Sequence, residues 1–201
     1  MSDAAIDFYF DFASPYAFLA SHRVDEIGER HGRSVTWRPV MLGAMFKAAG
    51  TGPIVNYPLK GPYAKNDLAR SARLFGVSIE FPDGFPHATL AAARGFYWLT
   101  DTDPDKAKPF ARAFYAVYFG EGRNATPAEE TAKIAASVGV DEAAFLEAVQ
   151  DTAIKDRLKA ETSAAIGRGV FGAPFIFVDD EAFWGSDRLD QVERWLETGG
   201  W

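Results

Sequence analysis

The chain has 201 residues, 48% of them hydrophobic and 24% charged, so it is globular and long enough to bury a core. That length suits one large domain, or one domain with an insertion. A net charge of −7 and a pI of about 5.0 argue against the basic patch that a nucleic-acid partner requires. There is no cysteine. This excludes a disulfide framework, a thiolate zinc site and any dithiol chemistry of the protein's own. Met1-Ser2-Asp3-Ala4-Ala5 has no basic region leading into an apolar run, so no signal peptide is expected. No window reaches the roughly 18 apolar residues of a membrane span. The expected setting is cytoplasmic, with no membrane partner.

In chain order, Ile6 to Phe12 partly alternates apolar and polar residues and predicts a short buried strand. Ser14 is a good N-cap and Pro15 a good first helical residue. Phe18, Leu19, His22, Val24 and Ile27, with a stop at Gly32, predict one helix of about four turns. Ser34 to Val40 predicts a second strand, closing a βαβ unit. Gly43 to Gly61 reads as an ordered functional loop with a short helical piece around Met45 to Ala49.

From Tyr63 to about Gly169 helix is expected almost throughout. One helix covers Tyr63 to Phe75 and closes at Gly76. Ser78 to Pro86 is irregular, and an Ala-rich helix runs from His87 to Asp101. Asp103-Pro104 caps the next, to about Tyr118. Thr126-Pro127-Ala128-Glu129 reads as a capping box, and Asp141 and Thr152 open two more helices. Pro174 to Val178 predicts a buried strand, Asp179-Asp180 a turn and Ala182 to Trp184 a return strand. Ser186 or Asp187 caps a last helix, Leu189 to Leu196. Two strand-bearing ends around a helical block predict an α/β fold with a split sheet. The expected division is 1–45 and 170–201 for the sheet part and 46–169 for the helical insertion.

The signals for chemistry are individually modest. Ser14 by itself reads as a helix cap, Val170-Phe171-Gly172-Ala173-Pro174 as a strand opening, and Ser186-Asp187-Arg188 as another cap. Lys60 by itself reads as a solvated loop lysine. The histidines His22, His31 and His87 lack metal-ligand spacing, so no metal is expected, and there is no Walker loop or dinucleotide fingerprint. Phe114, Tyr115, Tyr118 and Phe119 at helical spacing read first as core and second as a hydrophobic pocket.

Four ordered motifs together carry a resemblance that covers essentially the whole chain. They are Asp11-Phe12-Ala13-Ser14-Pro15-Tyr16, Leu59-Lys60-Gly61-Pro62-Tyr63 with Asn66-Asp67-Leu68, Val170 to Pro174, and Trp184-Gly185-Ser186-Asp187-Arg188. The chain resembles the kappa-class glutathione transferases and the bacterial 2-hydroxychromene-2-carboxylate isomerases, in the DsbA-like branch of the thioredoxin fold. The resemblance implies that fold, interrupted by a large all-helical insertion. It also implies glutathione as cofactor and a homodimer. Where disulfide oxidoreductases of this fold carry a reactive cysteine, the present chain carries Ser14, so a thiolate would have to come from a bound small thiol.

Position by position, the resemblance implies that Ser14 favours the glutathione thiolate through its hydroxyl. Ala173, before a cis Pro174, would pair with the cysteinyl backbone. Ser186 and Asp187 would hold the γ-glutamyl end, with Arg188 adding charge. Lys60 would face a carboxylate of glutathione or substrate. Tyr63 and Asp67 match the family pattern. Relatives often place an asparagine several residues before that lysine; here Thr51 stands near that spacing and Asn56 lies closer in, a weak substrate-site candidate. The Phe96-Tyr97-Trp98-Leu99 region and the length look more like the bacterial isomerase. The implied activity is glutathione-dependent cis-trans isomerisation of 2-hydroxychromene-2-carboxylate, or a close aromatic analogue, to trans-o-hydroxybenzylidenepyruvate, in aromatic hydrocarbon catabolism. A kappa-class-like transferase, and a non-catalytic DsbA-like binding protein that has lost its cysteines, stand as alternatives.

Overall fold

The structure, a computed structural model, describes residues 5–201; the reading of the first four residues lies outside them. The chain opens with β1 (Ile6–Phe10), α1 (Pro15–Ser21), α2 (Val24–Arg30) and β2 (Val35–Pro39). Then come α3 (Leu42–Ala49), a 3₁₀ turn Ile54–Asn56, α4 (Lys60–Phe75), α5 (Leu90–Thr102), α6 (Pro104–Tyr115) and a π turn Ala116–Gly120. The helices α7 (Ala128–Ser137), α8 (Glu142–Gln150) and α9 (Thr152–Gly167) follow. The chain ends with β3 (Phe175–Val178), β4 (Glu181–Trp184), a 3₁₀ turn Ser186–Arg188 and α10 (Leu189–Thr198).

The four strands form one sheet in the order β2-β1-β3-β4. β1 runs parallel to β2 and antiparallel to β3, which pairs antiparallel with β4. This is the thioredoxin-like α/β fold with helices between its two strand-bearing ends.

β1 is central and covered on both faces, which explains its nearly continuous apolar sequence. Ile6, Phe8 and Phe10 are fully buried on one face, with Phe8 and Phe10 packed edge-on against Trp37. Tyr9 points to the other face, into a smaller cluster with Val40, Met45, Phe175 and Phe177. Asp7 shares that second face and is paired with Arg38 at 2.7 Å and with Arg168.

The main core is continuous between sheet and helices. Phe10 meets Phe96 at 5.5 Å and Phe12 meets Phe114 at 5.0 Å, both edge-to-face. The strand end that leads to Ser14 is therefore anchored in α5 and α6. Pairs of this kind add about 0.5–1.5 kcal/mol each beyond burial of their area.

The structure departs from the sequence reading in several places: Asp103 gives α6 no side-chain cap, α10 is capped by neither Ser186 nor Asp187, which lie in the 3₁₀ turn before it, and α5 starts at Leu90 rather than His87. Four further differences have a local cause. The single helix expected after Ser14 is two, α1 and α2. The Ser21 hydroxyl donates to the Phe18 carbonyl at 2.6 Å, and His22 N–H turns to Leu19 instead. A serine side chain that takes a helical carbonyl competes with the ladder and ends the helix there.

Second, α4 begins at Lys60, three residues before the expected Tyr63. Gly61 permits this: a Cβ there would stand 2.5 Å from the Val55 carbonyl oxygen. Third, the helix expected to reach Tyr118 gives way at Ala116 to a π turn. The wider turn brings the adjacent Tyr118 and Phe119 both into the core. Fourth, the capping box at Thr126 does not form. The Thr126 hydroxyl donates to Asn124 Oδ1 at 2.7 Å, and α7 starts without a side-chain cap.

Candidate active site

The site is built where β1 ends. Leaving the sheet at Phe10, the chain makes a tight turn in which Ser14 N–H donates to the Asp11 carbonyl at 2.9 Å. Ser14 then caps α1: its backbone is extended, and its Oγ accepts from Ala17 N–H at 3.2 Å. Pro15 needs no partner for an N–H it lacks, so the first turn starts without strain. Ser14 is 3% exposed, and its hydroxyl donates to the Ala173 carbonyl at 2.8 Å. Two residues 159 positions apart thus face one point.

Ala173–Pro174 is a cis peptide bond. The Pro174 carbonyl accepts from Gly185 N–H at 3.0 Å. That bond ties the cis-proline segment to the 3₁₀ turn carrying Ser186, Asp187 and Arg188. Gly185 sits at φ +112°, a region that residues with a Cβ rarely adopt. It lets the chain leave β4 and turn at once into Ser186, which is buried. Asp187 and Arg188 are exposed and pair with each other at 3.3 Å. Ser14, Ala173, Pro174 and the 186–188 turn are therefore joined by hydrogen bonds into one constellation.

Lys60, Asn56 and Tyr63 lie on the neighbouring 3₁₀ turn and the start of α4. All three are exposed, Tyr63 at 61%. Lys60 Nζ lies 5.4 Å from the centre of the Tyr57 ring, a cation–π contact. No hydrogen bond joins Lys60 or Asn56 directly to Ser14 among the described residues. The link runs along α4. Tyr16, two residues after Ser14, donates its hydroxyl to Asp67 at 3.1 Å, and Asp67 is paired with Arg70. Burial first, then the charge and hydrogen bond of Asp67, hold the Tyr16 phenol far above its ordinary value. The charges of Tyr63 and Asp187 act in the same direction. Tyr16 is thus a permanent donor.

The residue that sequence reasoning left without a role is Asp11. It is buried, yet its carboxylate accepts from Ala13 N–H at 2.7 Å and the Thr89 hydroxyl at 2.9 Å on Oδ1, and from Leu42 N–H at 2.7 Å on Oδ2. Burial raises its pKa, and those three hydrogen bonds only partly offset this. The signal was present in the sequence: a carboxylate inside Phe8-Tyr9-Phe10-Asp11-Phe12 breaks an apolar run. A buried acid in such a run needs donors from elsewhere in the fold.

The residues present suit glutathione. Asp187 is an exposed carboxylate of the kind an ammonium seeks, and Ser186 opens a turn beside it. The Ser14 hydroxyl and the Ala173 carbonyl offer a donor and an acceptor side by side. Among the described residues no cluster of potential metal ligands occurs, and no helix is long and apolar enough to cross a membrane.

Comparison with known proteins bears on the family and the fold. Residues 5–197 match the family described as the DSBA-like thioredoxin domain. A 2-hydroxychromene-2-carboxylate isomerase of Sphingobium xenophagum is 35% identical over 95% of this chain and 97% of its own. Glutathione S-transferase kappa 2 of Caenorhabditis elegans is 26% identical over 95% of this chain and 91% of its own. A solved structure of a 2-hydroxychromene-2-carboxylate isomerase superposes with a TM-score of 0.86 and 32% identity, covering 96% of this chain and 94% of that one. The chain belongs to the DSBA-like thioredoxin family, in the group that holds the 2-hydroxychromene-2-carboxylate isomerases and the kappa-class glutathione transferases.

Proposed function

We propose that the protein is a glutathione-dependent isomerase of 2-hydroxychromene-2-carboxylate or a close aromatic carboxylate, yielding the trans-o-hydroxybenzylidenepyruvate type of product. The observation that carries the reading is the 2.8 Å contact between the Ser14 hydroxyl and the Ala173 carbonyl, in a protein without cysteine. When bound, glutathione supplies a thiolate whose reversible addition to a conjugated carbon turns a double bond into a single bond free to rotate. Every other part of the chemistry falls to the chain. Ser14 donates its hydroxyl to the sulfur and stabilises the anion. α1 is only seven residues long, so its dipole is small and the hydroxyl supplies most of this stabilisation.

Turning toward the sulfur, the Ser14 hydroxyl gives up the Ala173 carbonyl. That carbonyl then accepts a backbone N–H of the tripeptide, in strand-like pairing. Ser14 Oγ keeps its role as acceptor from Ala17 throughout. Asp187 holds the ammonium of the γ-glutamyl end, Ser186 its carboxylate, and Arg188 orients Asp187. Lys60 faces the substrate carboxylate, with Asn56 and Tyr63 on the same side.

Transferase chemistry is the second reading, favoured by the likeness to the kappa-class enzyme over 95% of the chain. One experiment separates the two. The protein is given hydroxychromene carboxylate and a trace of glutathione, and product and free thiol are followed together. An isomerase returns the thiol at each turnover, so product exceeds glutathione many-fold while free thiol stays constant. Loss of thiol mole for mole with substrate overturns the isomerase in favour of the transferase.

A further inference from the structure

Asp11 takes no part in the reaction proposed above, yet its side chain reaches three separate segments. We propose that Asp11 is the positioning residue of the site, the buried fastener that fixes the turn presenting Ser14 against the segment 42–63 that carries Asn56 and Lys60. What those two halves do rests on the glutathione reading; the mechanical link does not.

The argument starts from acceptor arithmetic. A carboxylate accepts on both oxygens, whereas an amide of the same shape has one acceptor and one donor. Asp11 uses both of its oxygens on backbone N–H groups. Oδ1 takes Ala13 N–H at 2.7 Å, inside the turn whose next residue is Ser14. Oδ2 takes Leu42 N–H at 2.7 Å, at the first residue of α3. Met41, at the N-cap of α3, gives no side-chain cap, so Leu42 N–H would otherwise be an unpaired helix-end donor.

From α3 the chain passes through Gly50 into the 3₁₀ turn with Asn56 and on to Lys60. This carboxylate is therefore a second tie between the two halves of the site, beside the Tyr16–Asp67 hydrogen bond onto α4. The third arm, the Thr89 hydroxyl at 2.9 Å, reaches the start of α5 and touches neither half. The Asp11 backbone is pinned as well, its carbonyl accepting from the Tyr115 hydroxyl at 2.9 Å. The hydrogen bonds to the carboxylate come from neutral donors. A buried charge without a cation is costly, and a neutral side chain would avoid that cost but lose the second acceptor.

The test compares Asp11→Asn with Thr89→Val in the full chain, by hydrogen exchange and by kinetics. Asp11→Asn must lose either the Leu42 or the Ala13 arm, whichever way the amide faces. Exchange is expected to accelerate about tenfold in the segment whose arm is lost, residues 42–49 for the Leu42 arm or residues 13–17 for the Ala13 arm, the loss of one buried hydrogen bond. KM for the carboxylate substrate rises and kcat falls, while glutathione affinity holds within about threefold. Thr89→Val leaves exchange in 42–49 and KM near wild type.

If Asp11→Asn does not fold, Leu42→Pro removes the same N–H from the other end. Proline is tolerated at a first helical position, and the preceding Met41 is already extended. It should reproduce the exchange phenotype. Unchanged exchange in both 13–17 and 42–49 of Asp11→Asn, unchanged exchange in 42–49 of Leu42→Pro, or equal acceleration in Thr89→Val, overturns the proposal. Exchange is read without any ligand, so a wild-type protein that binds no glutathione sinks the reading above while the Asp11 link is still decided.

Discussion

Replacing Ser14 by alanine removes two interactions at once, and the structure lets them be separated. The first is structural. Oγ caps α1 and bonds Ala173, and those losses are about 1 kcal/mol for the cap and about 0.5–1 for the second bond. Ala173 is half-buried, so its carbonyl regains some water. The sum is about 1.5–2 kcal/mol, or about 3–8 °C in Tm for a chain of this length. The second is chemical. A hydrogen bond to a charged group is worth about 1.5–3 kcal/mol, so the pKa of the bound thiol should rise by about 1–2 units. The assay is ultraviolet absorbance of the thiolate against pH in glutathione-saturated protein. With no cysteine in the chain, the thiolate part of that signal belongs to the ligand once the tyrosinate absorbance of glutathione-free protein is subtracted. Ser14→Gly keeps much of the cap and should lower Tm less, with the same shift of the thiol. Ser14→Thr keeps both functions and should restore the thiolate. A lower Tm with an unchanged thiol titration in both Ser14→Ala and Ser14→Gly would reduce Ser14 to a helix cap and refute the reasoning.

Lys60→Ala should lower kcat/KM for the carboxylate substrate by about fivefold and leave a neutral electrophile nearly untouched. Lys60 is solvent-exposed, its ion pair is screened, and the loss should shrink at high salt; equal losses on both substrates would remove Lys60 from carboxylate recognition. Reduction of insulin by dithiothreitol should proceed at the uncatalysed rate in its presence, because no mixed disulfide can form without cysteine; a clear acceleration would contradict this. Burial holds Asp11 above its ordinary 3.8, so just above that pH the native chain keeps the proton that the unfolded chain releases, and above the folded-state value Asp11 is the carboxylate that accepts from Ala13, Leu42 and Thr89. Its contribution is full below pH 3.8 and is lost as pH rises through the folded-state value. The advantage of wild type over Asp11→Asn in urea melts should therefore shrink from pH 3.8 toward neutrality. Tyr115 and Tyr118, which face Asp11, stay protonated throughout that range, as any tyrosine does, and burial raises both further. An advantage that grows with pH would show the carboxylate to be stabilised as an anion.

The sequence by itself determined the class of the molecule. The apolar run at Ile6 to Phe12, the alternation at Val35 and the run at Phe175 to Val178 specify strands because a half-buried or buried pleat demands them. Asp141 and Asp151 cap α8 and α9 as local chemistry dictates, each accepting from an N–H of its own first turn. The site motifs were visible as words, since Ser14-Pro15, Ala173-Pro174 and Ser186-Asp187 are contiguous.

What only the folded structure decided is which of several competing local contacts forms, and everything that depends on a distant partner. The break between α1 and α2 turns on which donor wins the Phe18 carbonyl, a competition that no periodicity records. The capping box at Thr126 does not form because α7 starts one residue later, with Pro127 at its N-cap, and the Thr126 hydroxyl and N–H turn back to Asn124 instead. The start of α4 was set by the close approach of Gly61 to Val55. Asp11 is the clearest case. Its three donors come from residues 13, 42 and 89, and a sequence places them far apart. Only the folded chain brings them to one carboxylate, because long-range hydrogen bonds are made after the core has decided which segments are neighbours.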